Sequence, residues 1–308
     1  MLRVVFFGSA GGYSAAHLDA IARVHRVIGV FSALQSRGAR RVIGRIVRST
    51  GFRSDPCGVI ASQHGIPRWW TNRQASTVAA RVASLKPDVI CIAGYPWVLP
   101  ASVWRQAPLG ALNSHGSLLP RHRGVLPLFW IYYHDDKDTG VTVHRVNERA
   151  DAGEIMCREA YPLARGFSVE RLSALNAERG SRMLMKAFDA VSAGVAGIPQ
   201  DDTQATHAPR VRPGASMVDF TWDVERVWHF LAGLFPRFVE PLQDQNGACV
   251  AYGAVLGYQR APHTQLLGTV RRAQVGWYLY CEGGIVMLGP DTDNASLAKA
   301  VDIAKVST

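Results

Sequence analysis

At 308 residues the chain is longer than one hydrophobic core ordinarily fills, so two domains are expected. Apolar residues make up 48% and charged residues 19%, a balance that excludes general disorder, and no apolar run is long enough to span a bilayer. A formal net charge of +10 favours anionic partners such as phosphates, nucleotides or RNA, and Arg37, Arg40, Arg41, Arg45, Arg48 and Arg53 fall in one stretch without an acid among them. The cysteines Cys57, Cys91, Cys157, Cys249 and Cys281 form no C-x-x-C pair and have no histidine cluster nearby, which argues against a disulfide framework and a structural zinc.

In chain order, Arg3 to Phe7 is an apolar run closed by Gly8-Ser9, the pattern of a first strand and its turn rather than of a signal peptide, so the expected address is the cytoplasm. Ser14 to Val24 has helical spacing and Val27 to Phe31 is again apolar and β-branched, giving a β-α-β opening. The turn Gly8-Ser9-Ala10-Gly11-Gly12 lacks the G-x-G-x-x-G spacing, and the second strand ends without a ribose-binding acid, which makes a dinucleotide site a poor expectation. Thr77 to Leu85 is predicted as a helix, and Asp88 to Ala93, Ala111 to His115 and Gly140 to Val146 as strands. Strands alternating with helices imply a mostly parallel sheet. Ser168 to Val191 reads as a long helix with Ser168 as its N-cap.

The proline-rich polar stretch around 201–214 reads as a linker between a first domain of residues 1–200 and a second of 215–308. Beyond it, Asp223 to Leu234 is predicted as a helix. Ala248 to Leu256, Gly268 to Val275, Trp277 to Glu282 and Ile285 to Leu288 are short strands between glycine turns, the pattern of a small β-barrel.

The densest chemical signal runs from Asn113-Ser-His115 through Ser117-Leu-Leu-Pro120 and Arg123-Gly124 to Thr139-Gly-Val-Thr142 and Asp151-Ala-Gly153. Asn113 and His115 lie two apart at the C-terminal end of a strand, so their side chains share a face at the edge where open α/β sheets bind ligands. An Asn amide can donate to a carbonyl oxygen that becomes negative, a histidine can carry the proton exchanged during attack by an amine, and a carboxylate can orient that imidazole. None of this requires a metal. Taken singly, each element is a common turn or strand end.

Taken together, Leu109 to Gly153 resembles the folate-dependent formyltransferases, whose hallmark is Asn-x-His, Ser-Leu-Leu-Pro, Arg-Gly, Thr-Gly-Val-Thr and Asp-x-Gly in order. The 38 residues from Asn113 to Asp151 match that pattern. The resemblance implies a Rossmann-like N-terminal domain and an OB-like C-terminal barrel. It also implies 10-formyltetrahydrofolate as formyl donor, catalytic Asn113, His115 and Asp151, and no metal. A pterin pocket would come from Gly94, Tyr95, Pro96, Trp97, Val98 and Leu99, with Arg149 to Gly153 closing over it. Gly11, Arg40, Arg41, Ser117 and Arg123 are its candidates for the acceptor side.

Gly140 to Gly153 and Pro127-Leu-Phe-Trp130 are most similar to the branch that formylates nucleotide-linked 4-amino sugars. Phe235-Pro236-Arg237 stands where both branches usually have Pro-Trp-Pro, and Arg212-Pro213-Gly214 replaces the lysine-rich entry of the methionyl-tRNA branch. A nucleotide-linked amino sugar is therefore the expected acceptor, with methionyl-tRNA as the alternative. A folate-binding module and a formyltetrahydrofolate hydrolase stand further off, and a homodimer is left open.

Overall fold

Val4, Val5, Phe6 and Phe7 are all fully buried, which is possible only for a strand covered on both faces. The computed structural model describes residues 1–33, 55–71 and 75–291. Its first strands are β1 (Arg3–Gly8), β2 (Arg26–Ala33), β3 (Arg68–Thr71), β4 (Val89–Ala93), β5 (Ala111–His115), β6 (Arg123–Gly124), β7 (Asp138–Arg145), β8 (Ile155–Pro162) and β9 (His207–Ala208). The main sheet has the order β3-β2-β1-β4-β5-β7-β8. Its members up to β5 run parallel, whereas β7 is antiparallel to both β5 and β8. The mostly parallel, Rossmann-like sheet expected from the alternating pattern is present.

The two-residue period of β1 divides the core. Val4 and Phe6 pack with Leu18 and Ile21 of helix α1 (Gly12–Val24) and with Leu184 and Phe188. Val5 and Phe7 face the other way, against Phe31, Ile90, Val103 and Val82. Each such side chain contributes about 1.5–3 kcal/mol by leaving water. Elements absent from the sequence reading are mainly short or half-exposed. Helix α2 (Pro56–Gln63) and β3 are brief, and β8 is an edge strand whose residues are partly exposed, so neither β strand carries a continuous apolar signal.

The chain forms two compact units that are not continuous in sequence. The first contains Met1–Leu128, Asp138–Pro162 and Ser173–Pro209, and the second gathers Phe129–Lys137 and Leu163–Leu172 with the chain from Arg210 onward. Within the second unit, the helix Val224–Leu234 is capped by Asp223, which accepts from Glu225 N–H, and Phe129, Tyr133, Trp222, Phe230 and Phe238 form an aromatic cluster. Strands Tyr252–Arg260, Gly284–Pro290, Trp277–Cys281 and Val270–Arg272 form a four-stranded antiparallel sheet in that spatial order, beside a two-strand ribbon of Leu242–Gln243 and Cys249–Val250. This is an antiparallel strand region consistent with a small barrel.

The stretch expected as a linker has structure of its own in its first half. Asp202–Gln204 is a short 3-10 turn, and β9 pairs in parallel with β6. Arg123 N–H donates to Thr206 O and Val125 N–H to Ala208 O, so a polar, proline-rich sequence is held by backbone bonds that its composition does not reveal. No described helix is long and apolar enough to cross a membrane.

Gly140 lies on β7 paired with Ala160 of β8, and a Cβ there would lie 2.1 Å from Glu159 O and 2.5 Å from a Leu118 methyl. Gly140→Ala is expected to destabilise the protein by about 2–4 kcal/mol through overpacking. Urea unfolding checks this, and a loss below about 1 kcal/mol would mean that the strands separate freely at this point.

Candidate active site

β5 ends on Asn113 and His115, and the antiparallel β7 fixes what stands beside them. In the register of the pair, Asn113 lies opposite His144 and His115 opposite Thr142. The loop after β7 then brings in Asp151, whose φ of 51° is unusual for a residue with a Cβ. His122 also has a positive φ, of 60°. Both of these strained residues touch His115.

The contacts define the chemistry. Asn113 Nδ2 donates to Asp151 Oδ1 at 3.0 Å and to His144 Nε2 at 3.1 Å, so both amide hydrogens are engaged. His144 Nδ1 donates to Arg145 O at 2.8 Å, which leaves its Nε2 as the acceptor that Asn113 meets. The other Asp151 oxygen accepts from Gly124 N–H at 2.9 Å and lies 3.7 Å from His115 Nδ1. His115 Nε2 is 2.9 Å from His122 O. Since a carbonyl can only accept, Nε2 carries the proton and Nδ1 holds the basic lone pair, on the side of Asp151.

Burial lowers the His115 pKa and the Asp151 charge partly opposes it, leaving the imidazole below its ordinary value and neutral near pH 7. Burial alone would raise the Asp151 carboxyl. The neighbouring histidines His115 and His144 and the Gly124 N–H outweigh that effect and hold it below the usual carboxylate range. A neutral base thus stands beside an anion able to stabilise its protonated form. Gly153 closes the loop against β7, where a Cβ would lie 1.8 Å from Arg145 O.

The structure therefore brings Asn113, His115 and Asp151 together. β4 runs beside β5 with Ala93 paired to Ser114, so the loop from Gly94 leaves the sheet at the level of His115. In that loop Gly94 has a φ of 70°, Tyr95 Oη bonds Thr71 Oγ1 at 2.9 Å with its ring against Phe7, and Leu99 is buried. Pro96 and Trp97 are half-buried, and Val98 is 61% exposed. Arg149 is exposed and pairs with Asp202 at 2.7 Å. Gly11 is the N-cap of α1. Ser117 donates to Arg121 O, and Arg123 is buried with its guanidinium on Gln200 and Asp202, so the polar groups of both are taken up inside the protein. Arg40 and Arg41 lie outside the described residues.

His144 is the site residue that sequence reasoning did not single out. Its signal was the two-residue spacing from Thr142 on the same strand, which acquires meaning only once β7 is known to run antiparallel to β5.

A profile described as formyl transferase matches residues 2–188, more than half of the chain. The chain belongs to the formyl transferase family. Members of this family are N-formyltransferases that use a formyl-tetrahydrofolate donor. A methionyl-tRNA formyltransferase of Anaeromyxobacter dehalogenans is 30% identical over 262 residues, 81% of this chain and 81% of that protein. One from Synechococcus sp. strain JA-3-3Ab is 30% identical over 194 residues, 62% of this chain, which spans only 60% of that protein. Among solved structures, the N-formyltransferase of Helicobacter canadensis, in complex with folinic acid and dTDP-3-aminofucose, has a TM-score of 0.67 at 11% identity. It covers 94% of this chain and 99% of its own, a likeness of fold.

His115→Asn is expected to lower turnover about a hundredfold or more, the usual scale for losing a positioned acid–base group, with folate affinity little changed. Equilibrium folate binding and single-turnover rates check this, and lost binding with intact turnover would reject the role. Asp151→Asn removes the charge that raises the His115 pKa, so the acidic limb of kcat/KM should move to lower pH while turnover falls. An unchanged limb accompanied by a large drop in unfolding free energy would make Asp151 a turn residue only.

Proposed function

We propose that this chain transfers the formyl group of 10-formyltetrahydrofolate to the primary amine of a nucleotide-linked amino sugar. The observation that carries the reaction is the convergence of Asn113, His115, His144 and Asp151 at one edge of the sheet. Asn113 turns one amide hydrogen from His144 or Asp151 to the formyl oxygen as that oxygen gains charge. The amine nitrogen bonds to the formyl carbon and the bond from that carbon to the folate nitrogen breaks. His115 Nδ1 takes the proton of the attacking amine and returns it to the departing folate nitrogen, and the imidazolium is stabilised meanwhile by Asp151 and the His122 carbonyl. The folate supplies the activated one-carbon unit. The loop from Gly94 to Pro100, with the apolar Val98 exposed at the same edge, suits the face of its flat ring.

Two features support a small acceptor. Gly140 to Gly153, which contributes His144 and Asp151, is most similar to the amino-sugar branch. The second unit is also electrically balanced over its described C-terminal part, with seven arginines and seven acids from Arg210 to Asp291. A tRNA held across a protein needs many cationic contacts to its phosphates, and that part of the chain has no excess of them. The second reading, methionyl-tRNA, is favoured by the sequence relatives.

Assaying one formyl donor against nucleotide-linked amino sugars and charged initiator tRNA separates these readings. Turnover is expected with a sugar, together with a shallow dependence of binding on salt, because a diphosphate releases few counterions. A steep salt slope that flattens as Arg40, Arg41, Arg45 and Arg48 are neutralised would overturn the sugar reading and favour tRNA. Formate released at the full rate without any amine would instead make the protein a hydrolase.

A further inference from the structure

The Asp151 loop is held from outside by the residue that immediately precedes the segment read as a linker. Gln200 Nε2 donates to Asp151 O at 2.9 Å and to Gly153 O at 2.7 Å. Its Oε1 accepts from Arg123 Nε at 3.0 Å and Arg123 Nη2 at 2.7 Å. This arrangement fixes the direction of the amide, since a flip would set its oxygen against two carbonyls and its nitrogen against a guanidinium. The backbone around Gln200 is anchored on both sides. Ile198 exchanges hydrogen bonds with Ile155 at 2.8 and 2.9 Å, and β9 pairs with β6.

Arg123 and its neighbour Gly124 thus reach the same residue by two routes. The Gly124 N–H meets the Asp151 carboxylate directly, while the Arg123 side chain, 7% exposed and also bound to Asp202, orients the amide that holds the Asp151 carbonyl. A residue with a φ of 51° keeps that conformation only where its surroundings over-determine it, and here the surroundings are Gln200 and β6. We propose that Gln200, oriented by Arg123, is a positioning residue that sets the Asp151 carboxylate against His115 and Asn113. It acts through Asp151 and need not touch either substrate, and the inference rests on the roles given above to Asp151 and His115.

Gln200→Met and Gln200→Glu test this in the full-length protein. Met removes both sets of bonds, whereas Glu keeps the partner of Arg123 and sets a carboxylate oxygen against the loop carbonyls in place of the donor. With 10-formyltetrahydrofolate and the acceptor that supports wild-type turnover, both variants are expected to lose about tenfold or more in kcat, the scale of a misplaced catalytic group, with the acceptor KM unchanged. Both variants should keep the wild-type far-UV circular dichroism, with some melting temperature lost.

An acceptor-independent reading comes from titrating His115 by NMR in carbon-13-labelled histidine protein, its signal assigned with His115→Asn. The groups facing that imidazole are the Asp151 carboxylate and the rings of His144 and His122. A displaced Asp151 should lower the His115 midpoint in the Met variant. Wild-type kcat in the Glu variant, or an unmoved His115 midpoint in the Met variant, would overturn the proposal. If no acceptor supports turnover, formyl transfer fails while the titration still decides the role of Gln200.

Discussion

A carboxylate that leaves water must be met by donors, and the burial of Asp151 imposes that requirement on everything around it. One oxygen is met by the Asn113 amide and the other by the Gly124 N–H, with two imidazoles within 3.7 Å. Each of these groups comes from a different part of the chain. Asn113 lies on a central strand two residues before its end, Gly124 belongs to a two-residue strand held by residues more than eighty positions later, and His144 lies on an antiparallel neighbour. The site is therefore a consequence of the whole first unit and not of a local motif.

The reversal of strand direction at β7 matters most among these arrangements. In a purely parallel sheet the residues beside Asn113 would come from another C-terminal strand end. The antiparallel pairing instead lays Thr142 and His144 alongside His115 and Asn113. Thr142 Oγ1 donates to Ser117 O and accepts from Leu119 N–H, which pins the Ser117 to Pro120 loop beneath the site. His144, with its Nδ1 proton committed to Arg145 O, presents an acceptor that orients the Asn113 amide. The edge where open α/β sheets bind ligands is kept, and the reversed strand supplies a wall.

A neutral imidazole beside an anion suits a reaction in which one nitrogen loses a proton and another gains one. A lowered His115 pKa keeps the base free at neutral pH, and the adjacent charge keeps its protonated form from becoming too costly. The family assignment accounts for the chemistry of the donor. The acceptor is a separate matter of charge and shape, and sequence relatives and fold relatives carry names that differ there.

Composition and periodicity were enough to indicate an α/β first part, an antiparallel second part and a strand at Ala111 to His115, because apolar alternation is a local property of the chain. Asn113, His115 and Asp151 were legible as a motif because their types and spacing are written in order. The strand β8, the helix α2 and the structured half of the supposed linker were not, since short or half-exposed elements carry little hydrophobic signal. His144 and Gln200 could not be read at all as site residues. Their roles depend on strand direction and on hydrogen bonds between segments far apart in the chain, and only the folded backbone settles those, because pairing register and the position of a distant amide are not encoded in any short stretch of sequence.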